Sequence, residues 1–388
     1  MKKNKKILFI SVNRSDYGIW RPILNESNKN KNLKADIFVT GSHFSKKFGN
    51  SINEIIFDNF FNQIFEARYS YSGSDPVAAT LAMSKISAAI GKVLKQNHYD
   101  GVAVLGDRFE MLAAASGVVP FCIPIIHFHG GSITEGAIDD SFRHAITKLS
   151  HYHMVETEEF KERVLQLGEP KKNIIITGAP SLSILKTLKF EERNKFLARY
   201  NLPIKKPFVL VTLHSETTKN RRYNEMLANI SLDILSNQDF HLLITAPNPD
   251  PYHEPILLKI DNLIKSKAKN VTFVKHLGHE NYFNALNYSY FVAGNSSSGI
   301  IEAASLKKFF LNIGDRQKNR LCDPSVVHVK PHEMNIKKGI NYINDKLTSG
   351  DFKFKASIYG NGNAPEIFIN FLKNCDLTYK PKVFMDLK

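Results

Sequence analysis

The stretch Ile7-Leu8-Phe9-Ile10-Ser11-Val12-Asn13-Arg14-Ser15-Asp16-Tyr17-Gly18 decides the fold. An apolar run of strand length passes directly into a segment carrying glycine, hydroxyls and ionisable groups. The habit recurs along the chain. Similar runs lie at 35–40, 101–105, 123–128 and 174–177, then at 208–213, 241–245, 271–274, 290–293 and 309–313. Runs that are apolar throughout suit parallel strands covered on both faces. Helical spacing occupies 76–94, 139–150, 158–167 and 223–235. This alternation predicts an α/β protein with doubly wound sheets.

A chain of 388 residues, 43% of them hydrophobic, favours two domains over one. The charged segment 190–206, ending in Leu202-Pro203, reads as their boundary. We therefore expect two Rossmann-like domains, at 1–185 and 186–358, and a last segment at 359–388. That segment holds a helix at 364–374, with Asn363 as N-cap and Pro365 in the first turn.

Net charge is +15. Such a balance attracts phosphorylated substrates, nucleic acid or membrane surfaces. Lys2, Lys3, Lys5 and Lys6, and Lys380, Lys382 and Lys388, are expected to be solvated chain ends. No segment interleaves basic and aromatic residues as a nucleic-acid module does, so no nucleic-acid partner is expected. Cys122, Cys322 and Cys375 are far apart, which excludes a zinc ribbon and fits a reducing compartment. No apolar run approaches membrane-spanning length, and the start MKKNKKILFISVN lacks a cleavage site. A cytoplasmic protein with no membrane partner is the expectation.

Ligands of doubly wound sheets sit beyond the carboxyl ends of the strands. The sequence there is polar in both halves, which suggests a cleft between two domains. Gly294-Asn295-Ser296-Ser297-Ser298-Gly299 opens a helix containing Glu302. Its backbone N–H groups and hydroxyls suit an anion, and Glu302 suits ribose hydroxyls. The loop lacks the lysine of a P-loop. Arg316 and Arg14 are candidate diphosphate ligands. Gly106-Asp107-Arg108 places a carboxylate beside a guanidinium. Asp139, Asp140 and Arg143 open a helix after the next strand end. Each of these carboxylates also has an ordinary reading as a helix cap. His43, His127, His129, His144 and His214 lie at or near strand ends, where histidine exchanges protons near neutral pH. His127 and His129 share a ligand-like spacing. With no H-E-x-x-H motif and no cysteine close in sequence, no metal is expected.

Taken in order, these strings resemble the hydrolysing UDP-N-acetylglucosamine 2-epimerase family of sialic and legionaminic acid synthesis. The matching strings are Arg14-Ser15-Asp16-Tyr17-Gly18, Thr40-Gly41-Ser42-His43, Leu105-Gly106-Asp107-Arg108-Phe109-Glu110, His129-Gly130-Gly131 and 138–148. His214, Asn248, 294–299 with Glu302, and 312–317 add the second half. The resemblance implies a GT-B-like fold whose last helix crosses back to the first domain, and a homodimer or homotetramer. It implies a UDP-sugar substrate, no metal or redox cofactor, and two steps. A base removes the C2 proton as the nucleotide leaves C1, giving a 2-acetamidoglucal. Water then adds with inversion at C2.

By matching position, Asp107 and Asp139 resemble the acid/base carboxylates, and His214 the histidine near the departing diphosphate. Arg14, Arg108, Ser296, Ser297, Glu302 and Arg316 resemble nucleotide contacts. His43 and Arg143 resemble sugar-orienting residues, and Gly18 and Asn248 fall in matching binding strings. This chain departs from the animal enzyme, which has glutamates at the positions of His129 and Ser132. Glu135 or His129 is expected to replace the missing carboxylate.

Three rivals remain. The non-hydrolysing epimerases typically read G-D-T and H-V-E-A-G. A glycosyltransferase would share the fold. A nucleic-acid-binding protein has charge alone in its favour.

Overall fold

The computed structural model describes residues 4–45, 50–68, 76–266 and 269–386. Lys2, Lys3 and Lys388 lie outside the described residues. The chain divides into two compact units. Unit 1 comprises Met1–Ser132, Asp139–Lys186 and Tyr359–Lys388, and unit 2 comprises Ile133–Ile138 and Thr187–Ile358.

Unit 1 holds β1 (Lys5–Ser11), β2 (Leu33–Thr40), β3 (Gln63–Ala67), β4 (Gly101–Leu105), β5 (Ile125–Phe128), β6 (Tyr152–Val155) and β7 (Ile174–Ile176). All pair in parallel, in the order β3-β2-β1-β4-β5-β6-β7. Its helices are α1 (Arg14–Asn28), α2 (Ile52–Asp58), α3 (Pro76–Gln96), α4 (Phe109–Val118), α5 (Asp139–Leu149), α6 (Glu158–Gln166) and the final α13 (Ala364–Asn374). β4 and β5 are buried at every position, as strands covered on both faces must be. The core joins both ends of the chain. Phe9, Trp20, Phe128 and Phe368 pack edge to face, with centroids 4.9–6.2 Å apart. Phe368 lies on α13, so the last helix is part of this core.

Unit 2 repeats the plan with β8 (Phe208–Thr212), β9 (His241–Thr245), β10 (Val271–Val274), β11 (Val292–Gly294), β12 (Phe310–Ile313) and β13 (Val326–Val329). Their order is β10-β9-β8-β11-β12-β13, again parallel. The helices are α7 (Arg193–Arg199), α8 (Arg221–Ser236), α9 (Glu254–Lys265), α10 (His279–Tyr288), α11 (Ser297–Ser305) and α12 (Glu333–Ser349). In each unit the strand order reverses once, between β1 and β4 and between β8 and β11. These are the switch points where doubly wound sheets bind ligands. The expected fold class, α/β with two Rossmann-like domains of the GT-B-like kind, is the one observed.

Four expectations need correction. The segment 190–206 is not the boundary, since the units divide between Lys186 and Thr187: it contains α7, whose Phe196 is fully buried against Phe208 and Tyr288 of unit 2. Residues 133–138, expected in the first domain, belong to unit 2. Third, α3 is long and apolar enough in composition to cross a membrane. Its buried residues Ala82, Ile86, Ile90 and Leu94 recur every four positions, so one face packs as in an amphipathic helix. Gly117 of α4 permits the contact, since a Cβ there would lie 2.4 Å from Ile90. Fourth, the terminal lysines are not all solvated. The Lys5 ammonium donates to the Leu372 and Cys375 carbonyls at the end of α13. Lys6 pairs with buried Asp36 at 2.9 Å, and Lys382 with buried Glu169 at 2.7 Å.

Candidate active site

In unit 1, β4 ends at Gly106, whose φ of +76° turns the chain sharply and presents Asp107. The turn is held from β5. Gly106 N–H donates to the Phe128 carbonyl at 2.9 Å, and His127 Nε2–H donates to the Gly106 carbonyl at 2.8 Å. Burial pushes the His127 pKa down to about 3, so its ring is neutral. With Thr147 Oγ1 3.2 Å from Nδ1, both ring nitrogens are engaged in structure. His127 and His129 therefore do not act as the metal-ligand pair their spacing allows.

Asp107 meets Arg143, which reaches up from the second turn of α5. Arg143 is 1% exposed. Its Nη1 donates to Asp140 Oδ1 at 2.6 Å and to the Ser132 carbonyl at 2.9 Å, while Nη2 pairs with Asp107. Burial opposes the guanidinium charge, but Asp107, Asp140 and Asp139 outweigh it and raise its pKa. Asp139 and Asp140 open α5, where the helix end also favours them. Three carboxylates are thus gathered around one buried cation. His144 adds a looser contact to Asp140 at 3.6 Å.

Other predicted residues of this half face inward. His43 is fully buried, with Ser11 Oγ at 2.9 Å and Ser51 Oγ at 2.8 Å from its two nitrogens. Arg108 grips Glu110 with two bonds of 3.0 and 3.1 Å, both side chains buried. Gly18 is buried inside α1 rather than in an open turn. Arg14 is the first residue of α1 and half-buried. Asp16, one turn into α1, caps the end of β1 by accepting from the backbone of Val12 and Asn13. Burial pushes its pKa up to about 7.

His129 follows β5 and has a left-handed backbone, φ +68°. The β4–β5 register pairs Leu105 with Phe128, so Asp107 and His129 leave neighbouring strand ends. Nδ1 of His129 lies 2.9 Å from Oε1 of Glu156, a buried carboxylate immediately after β6. Glu135 has a different setting: it is exposed in unit 2, bonded to Lys318 at 3.2 Å and Asn319 at 2.7 Å.

In unit 2, His214 follows β8 and is 5% exposed. Its backbone N–H donates to Asn295 Oδ1 at 2.7 Å, and its carbonyl accepts from Asn295 Nδ2 at 2.9 Å. Nδ1 accepts the backbone N–H of Asn248 at 3.0 Å. A donor facing Nδ1 leaves the proton of the neutral ring on Nε2. Ser296 caps α11, its Oγ accepting from the Ser298 N–H, and Ser297 is the first helical residue. Glu302 is buried on the same helix. Arg316 Nη1 donates to the Asn295 carbonyl at 3.2 Å, and Nη2 lies 3.9 Å from buried Asp250. Unit 2 therefore brings together His214, Asn248, the α11 terminus and Arg316 around Asn295.

Sequence reasoning missed Asn295, Asp250 and Glu156 as supports. Asn295 lay within a string already singled out. Glu156 lay beyond a strand that the apolar pattern did not reveal.

The sequence profile of the UDP-N-acetylglucosamine 2-epimerase family matches residues 25–373. The chain is 32% identical to the polysialic acid biosynthesis protein P7 of Escherichia coli, covering 97% of this chain and 96% of that one. It is likewise 32% identical to the UDP-N,N'-diacetylbacillosamine 2-epimerase (hydrolyzing) of Legionella pneumophila, covering 96% and 97%. A solved UDP-GlcNAc 2-epimerase from Neisseria meningitidis, bound to UDP-GlcNAc, has the same fold. Its TM-score is 0.78 at 19% identity, over 95% of this chain and 99% of that one. The chain belongs to the UDP-N-acetylglucosamine 2-epimerase family.

Proposed function

We propose that the protein is a hydrolysing 2-epimerase of a UDP-linked 2-acetamido sugar. UDP-N-acetylglucosamine and UDP-N,N'-diacetylbacillosamine are the two candidate substrates, and the product feeds sialic or legionaminic acid synthesis. The observation that carries this reading is the carboxylate set Asp107, Asp139 and Asp140 around the buried Arg143 cation. Such a set supplies positioned acid and base groups. In the first step the C2–H bond breaks, its electron pair forms C1=C2, and the C1–O bond electrons leave with UDP. In the second, water oxygen bonds C1 and loses one O–H proton to a base, while the C1=C2 electron pair takes up a proton on the opposite face of C2. Asp107 and Asp139 exchange these protons, and Arg143 orients Asp107.

In the second unit, His214 Nε2–H donates toward the leaving diphosphate. The amide N–H groups and hydroxyls of Ser296 and Ser297 and the Arg316 guanidinium receive it. Glu302 accepts from ribose, and Asn248 fixes the His214 tautomer. Arg14 and Arg108 carry the positive field at the β1 and β4 ends. Arg108 is held by Glu110, and His43 by Ser11 and Ser51, which gives both supporting roles. The relatives named as a hydrolysing epimerase and a polysialic acid biosynthesis protein support this reading. We place the enzyme in the cytoplasm, where its three free cysteines suit reducing conditions, as a homodimer or homotetramer.

The test is incubation with a panel of UDP- and GDP-sugars and NMR of the products. The expected products are a free 2-epimeric sugar and one nucleoside diphosphate. A 2-epimer still linked to its nucleotide would overturn hydrolysis.

A further inference from the structure

His129 has three unusual features. Its backbone is left-handed, φ +68°, a strained choice for a residue other than glycine. That backbone is fixed, because its N–H donates to the Met154 carbonyl of β6 at 3.2 Å. Its Nε2 is buried and has no hydrogen-bond partner among the described residues.

Glu156 is equally unusual. It is 2% exposed, and its carboxylate accepts no well-aligned hydrogen bond among the described residues. Its one polar neighbour there is His129 Nδ1, at 2.9 Å. A buried carboxylate without compensation is costly, so this histidine is what makes Glu156 tolerable. Conversely, a carboxylate beside Nδ1 keeps a proton there, sets Nε2 as the basic nitrogen, and stabilises the imidazolium.

We propose that Glu156 is the positioning residue that makes His129, rather than Glu135, the extra acid–base group beside Asp107. The proposal rests on the epimerase reading. In it, His129 Nε2 accepts the O–H proton that water loses on bonding C1 and releases it to solvent, while Nδ1–H stays hydrogen-bonded to Glu156. The groups around His129 are consistent with this. His127 is neutral, Arg143 donates to the Ser132 carbonyl, and Arg163 donates to the Gly131 carbonyl at 2.7 Å. Asp107 leaves the adjacent strand end, and among the described residues it is Glu156 that pairs with the imidazole. Glu135 is occupied by Lys318 and Asn319.

The experiment compares the full-length wild type with Glu156→Gln, Glu156→Asp, His129→Gln and the double variant Glu156→Gln/His129→Gln. NMR of ¹⁵N-labelled histidine, with His129 identified by its loss in His129→Gln, reads the ring tautomer without substrate. Wild-type His129 is expected to hold its proton on Nδ1, and Glu156→Gln to weaken that preference. With substrate, kcat is expected to fall about 10-fold or more at little change in KM. Glu156→Asp should restore part of the loss. The double variant should lose no more than His129→Gln alone.

A folded Glu156→Gln with unchanged His129 ring-nitrogen signals and wild-type kcat overturns the proposal, as does full additivity. If Glu156→Gln does not fold, Glu156→Asp decides by the same two readouts. An intact Nδ1–H tautomer in a wild type inactive on every nucleotide sugar would sink the epimerase reading and leave the pairing standing.

Discussion

Arg143 concentrates the chemistry of the first unit in one side chain. It is fully buried, and its neighbours Asp107 and Asp140 are about a quarter exposed. Asp107→Asn keeps a polar group against the guanidinium, and Asp140 still balances the charge. We expect this variant to bind UDP normally by calorimetry and to lose turnover by about 100-fold or more. Wild-type turnover would remove Asp107 from the catalytic set. Arg143→Ala strips a buried cation from its acidic partners, and should cost about 3 kcal/mol, read as a lower melting temperature.

Asp16 predicts a pH effect. Burial raises its folded pKa to about 7, above the ordinary 3.8. The folded state then holds a proton that the unfolded state has released. Stability from this group is complete below about pH 4 and is lost as pH rises toward 7. In Asp16→Asn the fall in melting temperature across that window should be shallower than in wild type. An unchanged slope would contradict the assignment. None of this was visible in the string Arg14-Ser15-Asp16, because burial is a property of the packed sheet.

At the scale of elements, the switch point of unit 2 depends on a glycine where no side chain fits. Gly294 ends β11 at φ +130°, and a Cβ there would lie 2.0 Å from the Thr212 carbonyl. Gly294→Ala should push β11 from β8, destabilise unit 2 by more than about 3 kcal/mol, and weaken UDP binding. Circular dichroism melts and calorimetry check both effects. A variant with wild-type melting and affinity would show that β8 and β11 tolerate separation.

The strands legible in sequence were the ones buried and apolar throughout, such as β4, β8 and β9. β6 was not, because Tyr152 and His153 break its pattern. His153 is buried only because Glu169 meets it at 3.1 Å, a partner from beyond the next helix. Missing β6 also hid Glu156. The edge strand β3 was lost for the opposite reason, since no residue in it is fully buried. The excursion 133–138 was illegible for a third reason. Gly136 packs so close that a Cβ would lie 1.9 Å from the Asp315 carbonyl, a contact spanning half the chain. The glycine, serine and aspartate strings at the strand ends were readable because turn geometry and polar chemistry are local. Their supports, Asn295 behind His214 and Glu110 behind Arg108, became clear only with the fold.

For the whole molecule, a net charge of +15 predicts attraction to polyanions without specificity. Any retention of nucleic acid in a gel shift should vanish between about 50 and about 200 mM salt. Binding that survives would demand a dedicated site that the sequence pattern does not contain. The specific anion is instead proposed to be a UDP-linked sugar.

The most direct test of that account is turnover of UDP-N-acetylglucosamine and UDP-N,N'-diacetylbacillosamine in D₂O, followed by NMR and mass spectrometry. The account predicts a free 2-epimer carrying one deuterium at C2 for each UDP released. UDP release without deuterium at C2, or an epimer still bearing UDP, would contradict it.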